Sequence, residues 1–209
     1  MKQKMVNTFA NIVDKNTKQS DYMKINNVLI IDGSNRQNGY TKKQIEYFKS
    51  ICNCENIITF ELYKEKFEFC DGCNYCEENE KCKYRDLDLF FEEFENADLI
   101  VFASPLYNGT FSTPLKALID RFQFYYTYFY KYNKTQKIEK ERKAILLLSS
   151  GRDGTKWLSV MEEQLKFACS ILNIKFIDSA LCNFTDTKPQ IEKAEEEIKN
   201  IYKKAHPRA

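Results

Sequence analysis

Short apolar runs alternate with longer stripes of helical spacing along most of this chain. Ile25–Asp32 ("INNVLIID") reads as a buried strand, and Tyr40–Ser50 ("YTKKQIEYFKS") as a helix. Asn56–Leu62 is a second strand, and Leu87–Ala97 ("LDLFFEEFENA") repeats apolar residues at helical intervals. Asp98–Pro105 predicts a third strand, followed by a helix over Thr113–Phe122 with Pro114 in its first turn behind a threonine cap. Lys143–Ser150 and Ile174–Leu181 are the fourth and fifth strands, separated by a helix over Trp157–Leu172 and followed by one over Pro189–Ala205. Five nearly continuous apolar strands joined by helix-length crossovers predict a parallel sheet covered on both faces, the doubly wound α/β class. The repeat starts just after Met23, so residues 1–22 read as an N-terminal extension with no assigned role and residues 23–209 as the domain.

Bulk properties narrow the setting. A chain of 209 residues builds one full hydrophobic core. Lys and Arg total 32 against 30 for Asp and Glu, which leaves no field to draw nucleic acid or an acidic membrane surface. Apolar runs such as Leu99–Ala103 fall far short of the roughly 18 residues a membrane span needs. The first 22 residues carry no continuous apolar core of the secretory kind, so a cytoplasmic setting is expected. There the eight cysteines would be reduced: free, metal-binding or redox-active rather than a disulfide scaffold.

Open parallel sheets bind ligands outside the carboxyl ends of their strands, where strand order reverses. After the first strand, "DGSNRQNGYT" (Asp32–Thr41) presents backbone N–H groups and a helix start, with Ser34, Asn38 and Thr41 as donors and Arg36 as a fixed positive charge. This suits a phosphate; a plain structural turn is the alternative. It is neither the Rossmann glycine pattern nor a P-loop. After the third strand, "ASPLYNGTFSTPLKALIDR" (Ala103–Arg121) carries Ser104 and Pro105 at the strand end, then Tyr107, Asn108 and Gly109.

Together, "GSNRQNGYT", "SPLYNG…TPLKALIDR" and "DGCNYC" resemble the NADPH-dependent FMN reductase superfamily of flavodoxin-like proteins, over about Lys24–Leu181. The resemblance implies a flavodoxin-like five-stranded sheet. It also implies that Ser34, Arg36, Asn38 and Thr41 grip the phosphate of FMN, while Pro105, Leu106, Tyr107, Asn108 and Gly109 line its isoalloxazine ring. Tyr40 departs from the small polar residue frequent at its position. In "SSGRDGT" (Ser149–Thr155), Ser150 and Gly151 are implied contacts at the pyrimidine side of the flavin, with Arg152 a weaker one. Asp120 and Arg121 are expected to form a surface ion pair and stay outside the site.

Half of the cysteines fall within thirteen residues. Cys70, Cys73, Cys76 and Cys82 follow the spacing C-x2-C-x2-C-x5-C. Closely spaced thiolates on a curling loop suit a cubane [4Fe–4S] cluster, because each iron takes one terminal sulfur. Structural zinc draws its ligands from two separated pairs and fits less well, whereas free thiols or a redox disulfide would leave the same letters. The motif resembles that of the iron–sulfur flavoproteins, a branch of the same superfamily whose cysteine loop follows the second strand. Cys52, Cys54, Cys169 and Cys182 sit in or beside packed elements and are expected to be inert.

The run "FQFYYTYFYKY" (Phe122–Tyr132) concentrates too much apolar area for a solvated loop. A subunit interface in a homodimer or higher homo-oligomer is the first reading, with a flavin-covering lid or intramolecular packing as alternatives. The basic stretch "KYNKTQKIEKERK" (Lys131–Lys143) reads as a solvated connection, and His206 lies outside every candidate loop. The expected activity is that of an FMN-dependent oxidoreductase with NAD(P)H as a candidate reductant, passing electrons among FMN, a [4Fe–4S] cluster and a small acceptor or ferredoxin-like carrier. A cluster-free NAD(P)H-dependent reductase of flavin, quinone or nitroaromatic substrates is the second reading, and a non-enzymatic flavin electron carrier the third.

Overall fold

The computed structural model describes residues 25–133 and 137–206. The N-terminal extension and part of the basic connection lie outside them. Five strands form one parallel sheet: β1 (Asn27–Asp32), β2 (Asn56–Glu61), β3 (Leu99–Pro105), β4 (Arg142–Ser149) and β5 (Ile174–Cys182), in the order β2-β1-β3-β4-β5. The chain leaves β1 toward β2, then crosses back over β1 to β3. That reversal is the switch point of a doubly wound sheet.

Side chains alternate across each strand, so β1, β3, β4 and β5 contribute to two cores, while the edge strand β2 adds only Phe60 to one of them. Leu29, Ile31, Ile100, Phe102, Leu146 and Leu148 face one side, and Val28, Ile30, Leu99, Val101, Ile145 and Leu147 the other. The first face is covered by α3 (Asp88–Asn96), α4 (Thr113–Asp120), α5 (Gln123–Thr127) and α6 (Thr155–Ile171), and the second by α1 (Tyr40–Ile51) and α7 (Ile191–Ala205). In α3 the phenylalanines at 90, 91 and 94 fall on one stripe and are buried, while Leu89 stands 79% exposed on the opposite side. Phe94 stacks on Phe122 at 5.0 Å between ring centroids, joining α3 to the start of the aromatic run.

Three expectations are corrected here. The residue capping α4 is Ser112, without a side-chain capping bond, and Thr113 and Pro114 lie within its first turn. The aromatic run folds inward: α5 continues into a π-helical segment (Tyr128–Asn133), and Phe122, Phe124, Tyr125 and Phe129 are buried in the chain's own core. Intramolecular packing therefore absorbs the apolar area that the sequence suggested for a subunit interface. The basic connection is not solvated at its end, because Arg142 and Lys143 begin the buried β4. The Arg142 guanidinium donates to the carbonyls of Phe94 at 2.6 Å and Leu172 at 2.5 Å and lies 5.0 Å from the centre of the Phe94 ring. Without a carboxylate partner within bonding range, burial pulls its pKa down to about 10.

Candidate functional site

The carboxyl ends of β1, β3 and β4 surround a cavity of about 620 Å³. One wall comes from the turn between β1 and α1. Gly39 caps α1, and its N–H donates to the carbonyl of Arg36 at 2.9 Å, closing the turn. A side chain at Gly39 would press against the Cβ and carbonyl of Arg36 at 3.0 Å, so the tight turn favours glycine. Behind it, Asp32 is fully buried, accepts the Ser34 N–H at 2.9 Å and is ion-paired with Lys42. Lys42 also bonds Glu61 at 2.8 Å, and Glu61 bonds Lys64 at 2.7 Å. Burial works against the Lys42 charge, yet its bonds to Asp32 and Glu61 hold its pKa above the ordinary value, and those to Lys42 and Lys64 pull Glu61 down to about 2. This network braces the first turn of α1, whose unpaired N–H groups favour an anion. Ser34, Arg36, Asn38 and Thr41 all line the cavity on that side, and Thr41 shares a 2.6 Å hydrogen bond with Ser149.

Pro105, Leu106 and Tyr107 form the second wall. The buried Ser104 hydroxyl donates to the Pro105 carbonyl at 2.7 Å and accepts the Ser112 N–H at 3.0 Å, tying the loop's start to α4. Tyr107 and Thr110 exchange two 3.0 Å backbone bonds around Asn108 and Gly109, which both take left-handed backbone angles. Trp157 closes over Gly109, where a Cβ would approach its ring to 2.8 Å. Asn108 and Gly109 therefore shape the turn and stand outside the cavity lining, whereas Tyr107 remains 43% exposed at the mouth.

Ser150, Gly151 and Arg152 line the third wall. Their loop is held by the one after β5: the Ser150 N–H donates to Cys182, the Thr185 N–H to Ser150, and the buried Asn183 side chain accepts the Gly154 N–H at 2.8 Å. Gly151 abuts the Asp186 carboxylate, which a side chain at 151 would push aside. Thr185 and Asp186 thus join the lining. The only sequence signal for them is their place after a fifth strand at the same sheet edge.

The loop after β2 leaves the same edge. Cys70, Cys73, Cys76 and Cys82 all line one small cavity of about 50 Å³, with Arg121 and Thr127 at its back. Gly72, Asn74 and Glu80 take left-handed angles that curl the chain, and a single helical turn, α2 (Cys76–Asn79), docks on the π-helical segment through Lys131–Glu77 at 2.9 Å. Cys76 lies 3.6 Å from the Thr127 hydroxyl, and burial raises its pKa. No three His, Cys, Asp or Glu side chains among the described residues gather around a single metal-ion position. A cubane asks something different, one thiolate per iron distributed around a compact body; four cysteines facing one cavity are the donor set for that.

Arg121 is where expectation and structure part. Its side chain is fully buried rather than paired at the surface, while Asp120 bonds Lys116 at 2.6 Å. The guanidinium donates to the Glu68 carbonyl at 2.6 Å, the Tyr84 carbonyl at 3.0 Å and the Asp86 carboxylate at 2.8 Å, and Asp86 accepts the Glu68 N–H at 2.6 Å. One side chain therefore grips the entry and exit of the cysteine loop. Although burial opposes both charges, their mutual bond holds the Arg121 pKa up and the Asp86 pKa down.

A family described by its flavodoxin-like fold matches residues 26–206, nearly the whole described structure. The chain belongs to this flavodoxin-like family. Among curated proteins, an iron–sulfur flavoprotein of Methanocaldococcus jannaschii is 35% identical over 97 residues, covering 45% of this chain and 50% of that protein. An FMN-dependent NADH:quinone oxidoreductase of Francisella philomiragia is 32% identical over 123 residues, covering 54% of this chain and 63% of that one. The matched segments thus span about half to two-thirds of those relatives' length. Of solved structures, an FMN-dependent NADH-azoreductase from Bacillus anthracis in complex with FMN aligns over 87% of this chain and 100% of that one with TM-score 0.62 at 16% identity. At that identity the likeness is one of fold.

Within the flavodoxin-like frame, the observed chemistry of the cavity fits FMN. A cationic, hydroxyl-rich turn at a helix N-terminus occupies one end, and a mixed apolar and amide-rich slot between Pro105–Tyr107 and Ser150–Gly151 the other. No described helix is long and apolar enough to cross a membrane.

Proposed function

We propose that the protein is an FMN-dependent oxidoreductase of the NAD(P)H-dependent reductase type, and that its four-cysteine loop holds one [4Fe–4S] cluster able to exchange electrons with the flavin. The observation that carries this reading is the convergence of two built sites on one sheet edge: the 620 Å³ cavity at the switch point and the cysteine-lined loop that leaves the neighbouring strand. When bound, FMN accepts a hydride or single electrons and the cluster carries electrons singly. The chain's own residues bind and orient. Arg36 supplies the charge for the phosphate, with Ser34, Asn38 and Thr41 as donors. Pro105–Gly109 shape the slot for the ring, and the Ser150 hydroxyl and the Gly151 N–H stand as donors at its far side. Arg121 keeps Cys70 and Cys82 at the two ends of a closed loop. The acceptor in this reading is a small molecule or a ferredoxin-like carrier.

A homodimer is also proposed, through a surface centred on α6 that takes in only the edge of the aromatic run at Tyr126. Val160 and Phe167 on α6 and Tyr126 rim an apolar hollow of about 730 Å³ beside α4, and Val160 and Phe167 are 42% and 50% exposed. A second copy laid across this face would cover them.

Anaerobic purification followed by absorption spectroscopy, flavin extraction and iron and sulfide analysis tests the assignment. FMN with about four irons and four sulfides per chain is expected, together with turnover of NADH or NADPH. FMN without iron after anaerobic reconstitution would leave the cluster-free reductase, the reading favoured by similarity to the quinone oxidoreductase. Failure to retain FMN after incubation with it would overturn the oxidoreductase reading.

A further inference from the structure

Two of the cysteines expected to be inert are in contact. Helix α1 ends at Ile51, and the Cys52 N–H donates to the Phe48 carbonyl at 3.0 Å as the backbone turns extended. Three residues later the chain is caught again, because the Glu55 and Asn56 N–H groups both donate to the Asn26 carbonyl at 3.0 and 2.9 Å. Between these anchors the Asn53 N–H donates to the Tyr202 hydroxyl of α7 at 2.8 Å. The C-x-C stretch is thus fixed at both ends and in the middle. Its two sulfurs lie 2.9 Å apart, and both side chains are half-buried, reachable from solvent yet packed against the core beneath α1 and α7. A disulfide needs about 2.05 Å between sulfurs, so the two sulfurs have under about 1 Å left to close.

We infer that Cys52 and Cys54 form a thiol–disulfide site that exchanges with low-molecular-weight disulfides, separate from the flavin cavity and from the four-cysteine loop. The pair sits at the amino ends of β1 and β2, where Asn27 pairs with Asn56, whereas the cavity and the cysteine loop lie beyond the carboxyl ends of the strands. The chemistry balances without any resident cofactor. The Cys54 thiolate attacks one sulfur of glutathione disulfide, forming a mixed disulfide and releasing one glutathione thiolate. The Cys52 sulfur then displaces the second glutathione, giving up its proton and forming the Cys52–Cys54 bond. Two electrons pass from the protein dithiol to the glutathione pair. Cys54 takes the attacking role because burial, and then the hydrogen bond with Cys54, push the Cys52 thiol up to about 12, leaving it protonated until it is held against the mixed disulfide. The Tyr202 hydroxyl, hydrogen-bonded to Cys52, favours its thiolate in the second step.

The sequence supplies a clean readout, because trypsin releases Ser50–Lys64, which contains Cys52 and Cys54 and no other cysteine. Holoprotein is equilibrated anaerobically with mixtures of reduced and oxidised glutathione, quenched with acid, labelled with N-ethylmaleimide and digested. The expected peptide changes from carrying two labels to carrying none with two hydrogens lost, and dithiothreitol restores both labels. Two labels at every glutathione ratio, or a glutathione adduct that never resolves, would overturn the assignment. In Cys52→Ser the reaction should halt with one glutathione on Cys54; an unmodified Cys54 in that variant would overturn its role as the attacking thiol.

Discussion

Replacing Arg121 with methionine should release the cysteine loop at both ends at once. The guanidinium holds the Glu68 and Tyr84 carbonyls and the Asp86 carboxylate from a fully buried position, linking segments that lie 53, 37 and 35 residues away in sequence. Methionine fills much of the stem's volume but donates nothing, so Asp86 keeps its charge with its cation removed. Removing one partner of a buried ion pair costs about 3–5 kcal/mol. The Asp86 side chain remains 24% exposed, and water recovers part of that loss, which places the effect near the low end, about 3 kcal/mol. For a chain of this size that corresponds to a melting temperature lower by about 6–12 °C. Melting followed by circular dichroism gives the global effect. Maleimide labelling of Cys70, Cys73, Cys76 and Cys82 in cofactor-free, reduced protein gives the local one. A loop that opens on its own would leave the melt nearly unchanged and speed the labelling, which the clamp also accounts for. Unchanged melting together with unchanged labelling would refute it. Arg121→Lys should fall between, since an ammonium keeps the charge but cannot span two carbonyls and a carboxylate in one plane.

Other expected outcomes follow from the cavity and the surface. Arg36→Ala should weaken FMN binding by roughly 1.5–3 kcal/mol, about 10- to 150-fold, read by quenching of flavin fluorescence; unchanged affinity would place Arg36 away from the phosphate. Glu61 has a folded pKa of about 2 against an ordinary value of 4.5, so its contribution to stability is fully present above about pH 4.5 and disappears as pH falls toward 2. Glu61→Gln should flatten acid unfolding across that window, and an unaltered acid limb would show that the Lys42 and Lys64 contacts do not stabilise the fold. Val160→Asp should shift the light-scattering mass from dimer to monomer, and a monomeric wild-type protein would remove the α6 face from consideration.

The sheet was legible because its strands are short, continuous apolar runs, and in a parallel sheet both faces of a strand are buried. Its five strands and the main helices fall within a few residues of where the spacing puts them. The turn after β1 and the Tyr107 loop were legible for a related reason: special backbone positions demand glycine, asparagine and proline, and these letters survive in a linear reading. What escaped were long charged side chains used internally. Arg121 and Arg142 look like solvent residues in any pattern of alternation, and only the fold brings Asp86 or the Phe94 carbonyl to them. The aromatic run misled in the opposite direction, since nothing local distinguishes an apolar segment that folds back on its own core from one awaiting a partner. Cys52 and Cys54 were set aside because packing near a helix end suggests an inert thiol; their contact depends on how the backbone turns after α1.

The cysteine loop joins the rest of the chain through a narrow neck. Its two ends are tied to each other by the Asp86 bond to the Glu68 N–H and to the side chain of Arg121 at the end of α4, while β2, β1 and their register lie wholly outside it. A segment attached in this way behaves as a cassette. Exchanging everything between Glu68 and Asp86 for a short turn would leave the five-stranded sheet and the cavity at its carboxyl edge in place.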